Sequence, residues 1–195
     1  MTVRRVFDVA VAILGLCATL PLCVIAGALV ALKLSRPIFF RQVRCGRGGV
    51  PFVILKFRTM GTANDALGRP LPDEQRLTQF GRWLRRLRLD ELPQLLNVLR
   101  GEMSIVGPRP LLPATIEAAG SAGRIRGQVR PGLTGWAQVN GNALLSDREK
   151  LSLDIWYVGH ASLKLDMVII YRTLRVLAFG ERRDEMALRR ALCEL

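Results

Sequence analysis

Val9–Leu32 reads VAVAILGLCATLPLCVIAGALVAL, 24 residues without one charge. As a helix it would be roughly 36 Å long, enough to cross a bilayer. A cleaved signal peptide has a shorter apolar core, a small-residue cleavage site and a polar chain behind it. Here the run continues into Lys33, Arg36, Arg41, Arg44 and Arg47, and Arg4 and Arg5 precede it. Cationic flanks belong on the cytoplasmic side. A single span satisfies that rule with one flank; a segment that enters, turns and leaves on the same side satisfies it with both. Pro21, near the middle, removes one helical hydrogen bond and clashes with the preceding turn. Gly15 and Gly27 loosen either side. A kinked single span and a re-entrant helix–break–helix with its break at Pro21 both fit, and the double basic flank favours the second.

Outward from this segment, composition narrows the classes. The 195 residues carry 29 Lys+Arg against 16 Asp+Glu, a formal net charge of +13, and half of them are hydrophobic. That apolar content excludes a disordered polycation. Four cysteines, Cys17, Cys23, Cys45 and Cys193, have no paired spacing. Without a CxxC, and with His160 as the one histidine, a disulfide framework and a structural zinc site are both excluded. The positive charge therefore faces nucleic acid, or an anionic membrane with phosphate substrates. Aromatic residues are 6% of the chain, too few for a nucleic-acid stacking platform, so no nucleic-acid partner is expected.

Ile38–Arg44 and Phe52–Arg58 are β-prone runs around a Gly-rich turn, a β-hairpin pattern. Residues 61–72 have the composition of a loop. Phe80, Trp83, Leu84 and Leu87 follow helical spacing among Arg82, Arg85, Arg86 and Arg88, a basic amphipathic helix suited to a membrane interface. Leu92, Leu95, Leu96 and Leu99 mark the next helix, with Asp90 and Glu91 at its start and Pro93 in its first turn. An acidic pair there fits capping. It also fits phosphoryl chemistry: a carboxylate attacks phosphorus once Mg²⁺, arginines and helix N–H groups offset the repulsion. Gly107-Pro108-Arg109-Pro110 is a rigid turn presenting a guanidinium. Ser146 and Glu149 form a capping box for a helix toward Val158, and Leu163–Phe179 is a last apolar helix. No GxSxG is present, and one histidine makes a Ser/His/Asp hydrolase hard to build.

Lys56-Phe57-Arg58-Thr59-Met60, Leu89–Pro110 (LDELPQLLNVLRGEMSIVGPRP), Val129–Gly141 (VRPGLTGWAQVNG) and Leu153–Val158 (LDIWYV) occur in that order. Together they resemble the bacterial sugar transferase family, the monotopic polyprenyl-phosphate phosphoglycosyl transferases, over about residues 4–179. The likeness is to the small members, the catalytic core alone. It implies transfer of a sugar-1-phosphate from a nucleoside diphosphate sugar, usually a UDP-sugar, to polyprenyl phosphate such as undecaprenyl phosphate. It also implies Asp90 as nucleophile, Glu91 as its support, both as Mg²⁺ ligands, and Lys56, Arg85 and Arg109 on the phosphate-binding surface. The expected fold is mainly α with a small β-hairpin (α+β). It divides into a re-entrant membrane hairpin (1–36), a catalytic domain ringed by interfacial helices (37–180) and a charged tail (181–195). The expected location is the cytoplasmic face of the bacterial inner membrane; the partners are the lipid bilayer and, through an exposed apolar face, a possible homodimer.

Two positions depart from the family pattern. Leu20 precedes Pro21 where many members have Ser. Asn142-Ala143 stands where many have Arg-Asn, with Arg130 or Arg148 as candidate substitutes. Two other classes compete with the enzyme: a membrane-anchored polybasic binding module, whose grip would collapse in salt, and an inactive regulatory homologue, against which the intact Asp90-Glu91 pair argues.

Overall fold

α1, Val3–Leu34, is one 32-residue helix with Pro21 in its interior. The computed structural model describes residues 3–34, 36–63, 65, 67–69 and 71–194. Helical conformation continues through Pro21, where the sequence reading expects a non-helical break. A proline removes a single ladder bond, and in an apolar setting the remaining backbone groups gain most by staying paired within the helix. Thr19, two residues ahead, returns its hydroxyl to the Gly15 carbonyl at 2.7 Å.

The ends of α1 are held and its middle is bare. Near the start, Arg4 clasps Asp166 with two bonds of 2.9 Å and Arg5 donates to the Val98 and Leu99 carbonyls. Asp8, buried, accepts from Ser104 Oγ and the Ile105 amide at 2.8 and 2.9 Å. Near the end, Ala26, Val30 and Leu34 pack with Phe57 and Leu84. Between them Leu14, Leu20, Val24 and Ile25 are exposed.

Both strands of the β-hairpin sit one residue nearer the turn than expected: β1, Phe39–Cys45, pairs antiparallel with β2, Pro51–Phe57, from Phe39↔Phe57 to Cys45↔Pro51. Gly48 and Gly49, at φ 69° and 79°, make the left-handed turn that a side chain would strain. The chain continues through α2, Asp73–Arg76; α3, Gln79–Arg86; α4, Gln94–Arg100; and β3, Ser104–Val106. Then come α5, Pro113–Ala118; α6, Gly120–Arg126; β4, Gly132–Thr134; α7, Trp136–Val139; α8, Asp147–His160; α9, Leu163–Phe179; and α10, Glu185–Cys193. β3 and β4 form a parallel pair, Ser104↔Gly132 and Val106↔Thr134. The main core gathers Val98, Met103, Val106, Leu153, Tyr157 and Ile169 beneath it.

Two expectations change. In α3 Leu84 is buried, but Trp83 and Leu87 stay about half exposed, so the apolar stripe splits between the core and the surface. The segment after Glu181 is no loose charged tail: Asp184 caps α10, whose Ala187, Leu188 and Ala191 are buried. Apolar side chains at that helical spacing gain more by packing than the flanking charges lose. The capping box of Ser146 and Glu149 opens α8 as expected.

Candidate active site

The acidic pair does not lie in the first turn of α4. Arg88 adopts a left-handed backbone (φ 56°, ψ 18°) and hands the chain to a 3-10 turn, Leu89–Glu91, and Pro93 caps α4 behind it. A non-glycine residue held there costs on the order of 1–3 kcal/mol, the kind of strain found where a site needs a fixed geometry. The turn points two adjacent carboxylates inward; Asp90 is 7% exposed and Glu91 8%.

α4 carries its own clamp to the hairpin. Asn97, fully buried, donates to the Val53 carbonyl at 2.8 Å and to Glu102 at 2.6 Å, and accepts from the Leu55 amide at 3.2 Å. The next residue of β2 is Lys56, and this register sets its ammonium 2.8 Å from Glu91 Oε1.

Arg109 reaches the same oxygen from the opposite side, at 3.1 Å. Its turn is built by close backbone approach. Gly107 donates to Thr134 O and Gly132 to Pro108 O, both at 2.9 Å. A Cβ on Gly107, Gly132 or Gly135 would drive into the backbone of the other turn. Arg126 then anchors the loop: its guanidinium donates to the Arg109 carbonyl and, at 2.7 Å, to Asp154 Oδ2, with both side chains almost wholly buried.

These cations set the two carboxylates apart. Burial works to raise the pKa of Glu91, but the charges of Arg109 and Lys56, and the Lys56 hydrogen bond, outweigh it and hold the carboxyl at about 2. Burial, and then the charge of Glu91, push Asp90 above its ordinary value against the pull of Lys56 and Arg85. Glu91 is thus a fixed anion saturated with cations. Asp90 is the more basic carboxylate, without an ion pair of its own among the described residues. A buried, raised carboxylate beside several cations is equipped to attack an anionic electrophile.

The family model for bacterial sugar transferases matches residues 1–180. The chain belongs to the bacterial sugar transferase family. It is 47% identical over 181 residues to the uncharacterized sugar transferase EpsL of Bacillus subtilis, covering 93% of this chain and 90% of that one. It is 40% identical over 188 residues to the exopolysaccharide production protein ExoY of Sinorhizobium fredii, covering 88% and 83%. A UDP-glucose:undecaprenyl-phosphate glucose-1-phosphate transferase of Caulobacter vibrioides is 43% identical over 183 residues, covering 88% of this chain and 68% of that protein.

In this sugar transferase, then, Lys56, Asp90, Glu91 and Arg109 come together as the sequence reading expects. Arg85 stands one step back: its Nε donates to Thr59 Oγ1 at 3.0 Å, and its charge is felt by Asp90. Pro21 lies outside the cluster, in the exposed middle of α1. Sequence reasoning missed three participants. Arg88 bridges Glu91 Oε2 and Glu181 Oε1, both at 3.5 Å, and Glu181 in turn accepts from Asn142 at 2.5 Å. The departure at Asn142 is therefore met by Glu181 and Arg88, while Arg130 is committed to the Gly101 carbonyl at 2.9 Å. Arg126 and Asp154 are the other two; the one available signal was an acid in the apolar run LDIWYV.

Proposed function

We propose that the protein transfers a sugar-1-phosphate from a nucleoside diphosphate sugar, a UDP-sugar by its kinship, to undecaprenyl phosphate, releasing nucleoside monophosphate and opening the assembly of an exopolysaccharide or glycoconjugate. The observation that carries this reading is the pairing of the raised Asp90 carboxylate with a Glu91 held ionised by Lys56 and Arg109. A mere membrane adhesin has no use for two buried carboxylates inside a basic cluster.

In the first half-reaction an Asp90 oxygen forms a bond to the sugar-bearing phosphorus. The phosphoanhydride bond breaks, and its electron pair leaves with the nucleoside monophosphate. The protein then holds a phosphosugar-aspartyl intermediate. In the second, a phosphate oxygen of the lipid attacks the same phosphorus, the acyl-phosphate bond breaks and the Asp90 carboxylate returns. Lys56 and Arg109, with Arg85 one step behind, supply fixed positive charge that offsets the repulsion between the Asp90 carboxylate and the phosphate it attacks. Burial, and then the repulsion from Glu91, keep Asp90 basic.

Magnesium fits this donor set in a limited way. Mg²⁺ is commonly held by one or two carboxylates together with substrate phosphates and water. Glu91 Oε1 is occupied by Lys56 and Arg109 while Oε2 has only the 3.5 Å contact from Arg88, so Asp90 and Glu91 Oε2 are the groups that would hold it. When bound it would supply charge neutralisation of the diphosphate.

The anchor is read as re-entrant. Arg4, Arg5 and Asp8 tie one end of α1, and Ala26, Val30 and Leu34 the other, to the domain that carries the acidic pair. A helix crossing the bilayer completely would have to draw part of that domain with it. Entry and return on the cytoplasmic face, with the continuous helix bent at Pro21 and its bare middle in the lipid, avoids this and would set the carboxylates where a soluble donor and a lipid phosphate meet.

The test is nucleoside monophosphate release by protein in nanodiscs with undecaprenyl phosphate, Mg²⁺ and a panel of UDP-sugars. Lipid-dependent UMP release from one donor, absent in Asp90→Asn, is expected. An Asp90→Asn protein as active as wild type overturns the reading.

A further inference from the structure

Beside the acidic pair lies a cavity of about 300 Å³ that the two half-reactions above leave unused. Its walls come from β4 (Leu133), from α7 (Val139) and from α9 (Ile170, Leu174, Leu177), and one end is closed by Arg88 and Glu91. Away from Arg88 and Glu91 the lining is mostly aliphatic, with Gln138 and two threonines as its polar side chains. Its two threonines do not change that: Thr134 and Thr173 pair hydroxyl to hydroxyl at 2.7 Å, and Thr173 also donates to the Ile169 carbonyl, so their methyl groups are what remains.

Its two ends differ in character. At the inner end the guanidinium of Arg88 is held only by contacts of 3.5 Å, one to Glu91 and one to Glu181. These are longer than a good charge-assisted hydrogen bond, so an incoming phosphate oxygen can take the guanidinium at little cost. At the outer end Leu87, Leu174 and Leu177 are 46%, 62% and 50% exposed, and Tyr171 continues the apolar surface along α9. A water-soluble sugar nucleotide has no use for such a rim, whereas an apolar chain leaving the cavity for lipid does.

Resting on the function proposed above, we propose that this cavity is the acceptor subsite. It would hold the head-proximal isoprene units of the polyprenyl phosphate, with the phosphate at Arg88 and the rest of the chain leaving past Leu87, Leu174 and Leu177 into the membrane. At about 300 Å³ it lies at the small end of ligand pockets, roughly 300–1,000 Å³, which suits the start of such a chain and not its length. The acyl phosphate on Asp90 and the attacking lipid phosphate would then meet across the Asp90-Glu91 turn.

The test uses the full chain in nanodiscs and two variants: Leu174→Trp, at the exposed rim where folding is not at risk, and Ile170→Phe, which fills the cavity. Initial rates are measured against undecaprenyl phosphate and, separately, against the UDP-sugar that wild type accepts. The expected result is a rise of at least about tenfold in acceptor KM, equivalent to denying burial to roughly two methylenes, with donor KM held within about twofold. In parallel, farnesyl phosphate carrying a diazirine near its head is photolysed with the protein. Label is expected on α9 or at Leu133, displaced by undecaprenyl phosphate and reduced in Leu174→Trp. An unchanged acceptor KM in both variants, a rise confined to donor KM (which would make the cavity a sugar site), or label restricted to α1 each overturns the assignment. Wild-type turnover separates the two levels: if wild type itself releases no UMP, the enzyme reading fails; if it turns over while the variants match it, only the acceptor subsite fails.

Discussion

Asp154→Ala should be among the most damaging single changes outside the acidic pair. Asp154 and Arg126 form an ion pair at 2.7 Å with side-chain exposures of 6% and 4%. Removing one partner of such a pair leaves a buried charge without compensation, which costs about 3–5 kcal/mol. For a chain of this size each kcal/mol moves the melting temperature by roughly 2–4 °C, so a fall of roughly 6–20 °C is expected. Trp136 and Trp156, stacked at 5.2 Å, make tryptophan fluorescence in nanodiscs a suitable probe of unfolding. Replacing both partners with apolar residues, Arg126→Met with Asp154→Leu, removes the stranded charge and should restore stability to within about 2 kcal/mol of wild type. Activity should not return with it. Arg126 also donates to the Arg109 carbonyl, and without that bond the Arg109 turn loses its anchor. A displacement of about 1 Å in a positioned group can cost on the order of 100-fold in rate. The double variant is therefore expected to be folded and slow. An Asp154→Ala protein that melts with wild type, or a double variant that transfers at the wild-type rate, would refute the reasoning.

Other perturbations read the same site differently. Lys56→Met removes a charge that pulls the Asp90 pKa down, so Asp90 should rise further and the acidic limb of the pH–rate profile should move to higher pH; an unmoved limb would detach Asp90 from catalysis. Glu91 has a folded pKa of about 2 against an ordinary 4.5, so its contribution to stability is complete above pH 4.5 and is lost as pH falls through 2. The stability gap between wild type and Glu91→Gln should accordingly narrow by about 3 kcal/mol over that interval, measured by denaturant unfolding at each pH. Leu188→Ala in α10 should cost about 2–5 kcal/mol, since Leu188 is buried against the core; a loss within error would show α10 to be detached.

What could be read in advance followed from local signals. The hairpin is legible because Gly46, Gly48 and Gly49 separate two β-prone runs, and α8 because Ser146 and Glu149 cap it. Lys56, Asp90, Glu91 and Arg109 are legible as motif residues, though nothing local says that Lys56 and Arg109 converge on one Glu91 oxygen. That convergence depends on Asn97 fixing the register of α4 on β2, and on the glycines that let two turns touch backbone to backbone. The unread parts are long-range or strained. β3 and β4 are three residues each and pair across 28 positions. The 3-10 turn under Asp90 follows from the left-handed Arg88, a conformation that arginine does not advertise. Arg126 and Asp154 find each other only once α6 and α8 are packed. Pro21 reads in the sequence as a kink or a break, and the helix continues through it, because the penalty for proline shrinks where no water competes for the backbone.

The most direct test of the central claim is the intact mass of the protein after mixing with its UDP-sugar in the absence of lipid acceptor. The account predicts a single adduct of one sugar phosphate, mapped to Asp90, formed with one equivalent of UMP, discharged by added undecaprenyl phosphate and absent from Asp90→Asn. Full turnover with no adduct under rapid quench, or an adduct mapped to any other residue, would contradict it.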